Sequence, residues 1–188
     1  MVEETLNLGD IPDFSGITDD SATFEPFGDG WYAGTILDKR VFTDKNGNDR
    51  IFESGDNPAQ SSNSRNIKLQ VVVKRQSDGR TMNLSALTNY RPEDLTQETV
   101  QAVIAHKEKV KEGEEWGPLF RSFMTLQRLG TLQRIAGVRQ FQRNGNGGLD
   151  LTPLYNKTGY FKITPDDRNP QYKMISNYLE VAPKRGLL

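Results

Sequence analysis

Aromatic and cationic side chains are interleaved along several stretches of the chain, and this combination suits binding better than bond breaking. A ring face stacks on planar groups, and a lysine or arginine neutralises an anion such as phosphate. Neighbouring residues of a strand point to opposite faces, so Trp31 and Tyr32 of GWYAGTI cannot both enter a core. The predicted outward-facing binding residues are Trp31, Lys68, Gln70, Lys74, Arg75, Tyr160 and Lys162, continued after the third strand by Tyr90 and Arg91.

Side chains suited to catalysis are few and poorly grouped. The chain has no cysteine and one histidine, His106, which excludes zinc–cysteine sites and thiol catalysis. The acidic pairs Glu114-Glu115 and Asp166-Asp167 lie on predicted loops, where solvation is their ordinary role, whereas two-metal chemistry needs carboxylates from several elements. We therefore expect a non-enzymatic protein without a cofactor or a metal, and a metal-dependent nuclease is the lower alternative.

Charge is distributed unevenly along the chain. Residues 1–38 carry nine of the 25 acids and no lysine or arginine. The rest of the chain holds the other sixteen acids with all 24 basic side chains, a net charge of +8. This separation favours a polyanionic partner for the basic part. Residues 1–29 lack a clear period, so we predict a largely disordered acidic arm that competes with this partner.

Hydrophobic periodicity defines the elements that must position these side chains. Alternation predicts strands over 30–40, 67–74, 81–87, 160–164 and 172–181, and a hairpin over 41–52 with a turn at Asn46-Gly47. Helical spacing predicts helices over 92–111 and from about 116 to 136. The stretches 53–66 and 143–148 lack a period and are predicted to be flexible.

The order of these elements indicates the fold. Three strands, then helices, then two strands is the order of the five-stranded Greek-key barrel called the OB-fold, with one or two helices between strands 3 and 4. An α+β domain with an open sheet is the alternative. The predicted organisation is an arm at 1–29, an OB-fold domain at 30–182 with loop 53–66 and helical insertion 92–137, and a C-terminal tail at 183–188. OB-folds bind oligonucleotides across strands 2 and 3, where interleaved rings and cations suit sequence-tolerant binding of single strands.

Four stretches of the chain carry a resemblance to known proteins: GWYAGTI, NIKLQVVV, RLGTLQRIAG and LTPLYNKTGYFKITPDDRNPQYKMISNYL. The matched positions are Gly30, Tyr32, Ile36, Leu154, Gly159, Phe161, Ile163, Asn169, Pro170, Tyr172 and Ile175. Over about residues 28–180 the chain resembles a phage-encoded family of single-stranded DNA-binding proteins, whose genes often lie beside phage recombination and replication genes. The resemblance implies a protein that coats single-stranded DNA during replication or recombination, with proteins of those processes as partners.

Location and a second class of function follow from composition. No apolar run approaches the ~20 residues needed to span a bilayer, and the N-terminus lacks a signal peptide's regions, so we expect a cytoplasmic protein without a membrane partner.

The alternative function is an adaptor or virion protein that contacts other proteins. The apolar side of the second predicted helix, with Leu126, Leu129 and Leu132, would then form an interface between copies of the chain.

Overall fold

A computed structural model describes residues 27–60 and 62–183. The strands are β1 (Gly30–Leu37), β2 (Lys39–Thr43), β3 (Asp49–Glu53), β4 (Gly55–Pro58), β5 (Arg65–Lys74), β6 (Thr81–Tyr90), β7 (Thr158–Pro165) and β8 (Lys173–Leu179). The helices are α1 (Gln97–Lys111) and α2 (Phe120–Ala136), with short 3₁₀ turns at Pro92–Leu95, Gly117–Leu119 and Thr152–Leu154. In the described part of the chain, neither helix is long and apolar enough to cross a membrane.

Five of the strands close into a barrel in the order β1-β7-β8-β6-β5, and β1 also pairs with β5. Neighbouring strands are antiparallel except β6 and β8, which are parallel. Gly34 is paired with both Gly159 and Val73, where β1 passes from one neighbour to the other. A Cβ there would lie 2.9 Å from side-chain atoms of Phe161 and Val73, so this crossing requires glycine. Both helices lie between the third and fourth barrel strands, which confirms the predicted OB-fold-like class.

The barrel interior is filled by alternate residues of its strands. Ile67, Leu69, Val71 and Val73 of β5 are all buried, as their spacing predicts. Phe161 and Ile163 of β7 are buried beside them, and α2 contributes a row of apolar side chains to the same core. Each fully buried side chain of this size contributes about 1.5–3 kcal/mol, so the alternation is a main source of the fold's stability.

Capping residues mark the start of α1 and the end of α2. Thr96 has an extended backbone and its hydroxyl accepts a hydrogen bond from the Thr99 amide at 3.2 Å, so α1 begins after it. The helix predicted over 92–111 is therefore a 3₁₀ turn followed by α1. Buried Asp94 in that turn accepts a hydrogen bond from the Ser122 hydroxyl at 2.8 Å, which joins the turn to α2. The second helix ends before Gly137, as predicted.

The segment between β1 and β4 forms the predicted hairpin as a separate two-stranded sheet of β2 and β3. Asp44 organises its turn, because its carboxylate accepts hydrogen bonds from the amides of Asn46 and Asn48 at 2.8 and 3.0 Å. These bonds hold the pKa of Asp44 below its usual value. Gly47 has a φ of 82°, a left-handed conformation that glycine adopts without strain.

The predicted loop 53–66 and the predicted arm both differ from the structure, and β1 ends at Leu37 rather than at residue 40. The segment 53–66 contains β4, which pairs with β5 and buries Asp56, so it is not a loop throughout. Phe27, assigned to the arm, packs in the core with its ring 5.3 Å from that of Tyr32. The rest of the predicted arm, residues 1–26, and residues 184–188 of the predicted tail lie outside the described residues.

Candidate functional site

The two outward aromatic rings of the prediction, Trp31 and Tyr160, lie on neighbouring barrel strands. Trp31 is paired with Lys162 and Ala33 with Tyr160, all on the side of the sheet opposite the core. The predicted face is therefore correct, but Trp31 is only 8% exposed and Tyr160 only 5%. With Ala33 and Leu179 they form a small apolar cluster outside the barrel. Burial also raises the pKa of the Tyr160 hydroxyl. These rings offer little surface for stacking, which differs from the expectation that they face solvent.

Gln70 also lies on the outer side of β5, yet it is fully buried. Its backbone amide donates to the Ser54 hydroxyl at 2.7 Å, and its side-chain oxygen accepts from the Ser85 hydroxyl at 3.2 Å. Ser54 lies just after β3, at the base of the hairpin, and its hydroxyl donates to the Leu37 carbonyl. Gln70 therefore serves the junction between hairpin and barrel rather than an exposed surface.

Tyr90 was predicted to extend the binding surface, but it lies inside the barrel. Its hydroxyl donates a hydrogen bond to Asp56, whose carboxylate also pairs with Arg65 at 2.9 Å and accepts from the Leu149 amide at 2.7 Å. Burial raises the pKa of Tyr90 well above its usual value, and the bond to Asp56 raises it further. The physical reason is strand length: β6 continues past Leu87, so alternation turns Tyr90 inward.

Two of the predicted cations are neutralised by carboxylates close in sequence. Arg75 pairs with Asp78, and its Nε donates to that carboxylate at 3.0 Å. Hydrogen bonding from Arg75 lowers the pKa of Asp78 to about 2. Arg91 pairs with Glu93 and Asp94, each at 3.1 Å. Neighbouring carboxylates already compensate both guanidinium groups, so Arg75 and Arg91 are weak candidates for binding a phosphate.

The three predicted lysines keep uncompensated charges on the outer surface. Lys68, Lys74 and Lys162 form no ion pair with any carboxylate of the described residues. Lys68 lies on β5 opposite Leu87 of β6, and its ammonium is 5.6 Å from the centre of the Phe52 ring. Arg75 also lies over a ring, that of Phe27 at 5.2 Å, but Phe27 is buried in the core, so Lys68 is the predicted cation that reaches the hairpin.

The hairpin supplies a group of side chains that the sequence analysis missed. In its register Arg40 is paired with Phe52, and Phe42 with Arg50, so these four residues share one side. We call this side the hairpin face. The Arg40 guanidinium lies 4.8 Å from the centre of the Phe52 ring, and Phe42 is 55% exposed. Through Phe52 the hairpin face reaches Lys68 on β5.

The acids of the hairpin strands lie away from the hairpin face. Asp49 and Glu53 are paired with Thr43 and Lys39, on the side opposite the hairpin face. Arg40 and Arg50 have no carboxylate partner among the described residues, and a buried Nε of Arg40 has no hydrogen-bond partner there either. The signal was present in the sequence as the repeated pattern Arg-x-Phe at 40–42 and 50–52, which alternation places on one side of a hairpin.

Two of the residues weighed for catalysis, His106 and Asp166, have structural contacts. The His106 Nε2 lies 2.8 Å from the Glu115 carbonyl oxygen, and its ring is 5.5 Å from that of Trp116. Asp166 accepts hydrogen bonds from the amides of Arg168 and Asn169 in the loop before β8. Within residues 27–60 and 62–183, no group of three or more histidine or acidic side chains could hold a metal ion.

Comparison with known proteins gives no relative from which a role could be transferred. No family model matches the chain, and no curated protein matches it significantly. The fold and the geometry of the hairpin face therefore carry the functional argument.

Proposed function

We propose that the protein binds single-stranded DNA without sequence preference, on the hairpin face and the adjoining outer side of β5. The observation that supports this most is the division of the hairpin, with both arginines and both phenylalanines on one side and both acids on the other. A single strand presents phosphates and unstacked bases together, and this is the ligand that such a surface fits. Lys68 continues the cationic path onto the barrel.

The biological setting is proposed from the resemblance of the sequence motifs. A phage or prophage protein of this kind would coat strands exposed in replication or recombination, with the enzymes of those processes as partners. Coating requires tolerance of any base, and ring faces provide it because every base has a π-face. Hydrogen bonds to base edges, which would confer specificity, are not needed.

A titration tests the proposal. Fluorescence anisotropy of a labelled oligo-dT should show binding at low salt, with duplex DNA of the same length bound more weakly. The logarithm of the association constant should fall with the logarithm of salt concentration, with a slope of about −0.7 per phosphate contacted. Absence of binding to oligo-dT at low salt would overturn the proposal.

A protein–protein function is the second candidate, because the other side of the hairpin exposes two apolar side chains among its charged residues. Val41 and Ile51 are paired there and both are exposed. An adaptor or virion component would use them to contact another protein or a second copy of the chain. Light scattering after size exclusion would show a defined oligomer or complex, together with indifference to nucleic acid. The nuclease alternative gains no support from the described residues.

A further inference from the structure

A groove of about 380 Å³ lies between α2 and the end of β6. It is lined by Asn89, Phe120, Arg121, Met124, Thr125 and Arg128. Five of these belong to α2 at positions i, i+1, i+4, i+5 and i+8, which share one side of a helix. The groove is therefore a helix face opposed to a barrel strand, and we call it the α2 groove.

The α2 groove continues the outer surface that begins at the hairpin. Leu87 and Asn89 lie on the outer side of β6, where Leu87 is paired with Lys68 and Asn89 with Asn66. Leu87 is exposed. A path therefore runs from the hairpin face over Lys68 and Leu87 to Asn89, where the groove begins.

Two uncompensated positive charges lie along this groove. Arg121 and Arg128 have no carboxylate within ion-pair distance among the described residues, whereas Arg134, later on the same helix, pairs with Glu180 at 2.6 Å. Arg128 donates a hydrogen bond to the Ser176 carbonyl at 3.4 Å, so its side chain reaches from α2 to β8. The two arginines are seven positions apart, about 10 Å along the helix axis, which allows contacts with different phosphates.

An exposed aromatic ring accompanies these charges. Phe120 is 54% exposed, although it stands in the first turn of a helix that packs on the barrel. Phe123 on the same helix, by contrast, packs against another ring: it stacks on Trp116 with ring centres 4.0 Å apart. No acidic residue lines the groove, so the only charges on its lining are those of the two guanidinium groups.

We propose that the α2 groove is a second subsite for the same DNA strand, which Phe120 contacts by stacking on a base while Arg121 and Arg128 bind flanking phosphates. The inference rests on the proposed function. An acidic peptide would also satisfy the arginines, but continuity with the surface at Lys68 and Leu87 favours the strand. Guanidinium groups bind phosphate through two parallel hydrogen bonds, so each arginine can fix one phosphate.

The test compares two oligo-dT lengths in the full chain. One has about 20 nucleotides, more than the roughly 4–16 that one OB-fold covers, and the other has about 6. The variants are Arg121→Ala with Arg128→Ala, and separately Phe120→Ala. The matched control is Arg139→Ala, an exposed arginine beyond the other end of α2. Circular dichroism and thermal unfolding establish that each variant is folded.

For the long oligonucleotide, the double arginine variant should reduce the salt slope by about 1.4, two phosphates at 0.7 each. Phe120→Ala should weaken its binding about fivefold or more. The short oligonucleotide binds at the hairpin face, so its affinity should be the same in these variants as in the wild-type protein. The control variant should change the binding of neither oligonucleotide. An unchanged slope for the long strand in the double variant would overturn the inference. If the wild-type protein binds neither length, the proposed function itself fails.

Discussion

Two aromatic clusters on the outside of the same barrel have opposite surroundings. Trp31 and Tyr160 lie on the outer sides of β1 and β7, where they are buried in an apolar cluster with Ala33 and Leu179. Phe42 and Phe52 lie on the hairpin face beside two arginines, which form no ion pair with a carboxylate of the described residues. Strand alternation places a ring on the outer side of a sheet, but it does not decide whether that ring meets solvent.

The difference divides the molecule into a part that maintains the barrel and a part that is available to a ligand. Trp31, Gln70, Tyr90 and Tyr160 are all buried, and each has packing or hydrogen bonds that serve the fold. The hairpin face gains little from packing, because its residues are on a two-stranded sheet that extends from the barrel. Substitutions in the first part should change stability, and substitutions in the second should change affinity.

The largest effect on stability is expected at Asp56. Asp56→Ala removes the partner of buried Arg65 and the acceptors of Tyr90 and of the Leu149 amide. Leaving a buried charge unpaired costs about 3–5 kcal/mol, so the free energy of unfolding measured with urea should fall by that amount. Tyr90→Phe removes only the hydroxyl and should cost about 1–3 kcal/mol. If folded Tyr90→Phe protein binds oligo-dT more weakly, Tyr90 acts in binding after all.

The second-largest loss of stability is expected for Trp31→Ala. Truncating a buried tryptophan costs about 3 kcal/mol or more, because the cavity is only partly filled by its neighbours. The affinity for oligo-dT, measured below the unfolding transition, should stay the same, and Trp31→Phe should restore most of the stability. A stable Trp31→Ala protein with much weaker DNA binding would contradict the division between the two clusters.

Arg40→Ala with Arg50→Ala tests the cations of the hairpin face. Each contributes one phosphate contact in the proposed complex, so the salt slope for single-stranded DNA should decrease by about 1.4. Lys39→Ala is the control, because Lys39 lies on the opposite side of the same hairpin and is paired with Glu53. The control removes one charge and the double variant two, so a loss of slope in the control about half that of the double variant would mean that only net charge matters.

Deletion of residues 1–26 has the smallest expected effect. The segment carries seven acids and no basic residue, and the deletion keeps Phe27, which packs in the core. If the acidic segment competes with DNA, affinity should rise a few-fold at low salt, and the gain should vanish as salt screens the charges. Unchanged or weaker binding at low salt would refute the competition.

The sequence predicted those features that local pattern determines. Alternation in 67–73 gave the buried side of β5, and the turn residues at 46–47 gave the hairpin. It did not predict contacts between distant segments. Tyr90 faces Asp56 because β6 continues beyond the residues whose apolar alternation predicted the strand. Phe27 packs in the core although its segment has no hydrophobic period. Asp56 is buried by a strand of four residues that carries no hydrophobic pattern.

The most direct test compares Phe42→Ala with Ile51→Ala by anisotropy of a labelled oligo-dT. Both side chains are exposed on the hairpin, but they lie on opposite sides of it. The account predicts that Phe42→Ala lowers affinity by about 1–3 kcal/mol, the contribution of one stacked base, while Ile51→Ala leaves affinity unchanged. Equal affinity of the two variants and the wild-type protein would contradict the assignment of the hairpin face as the DNA-binding surface.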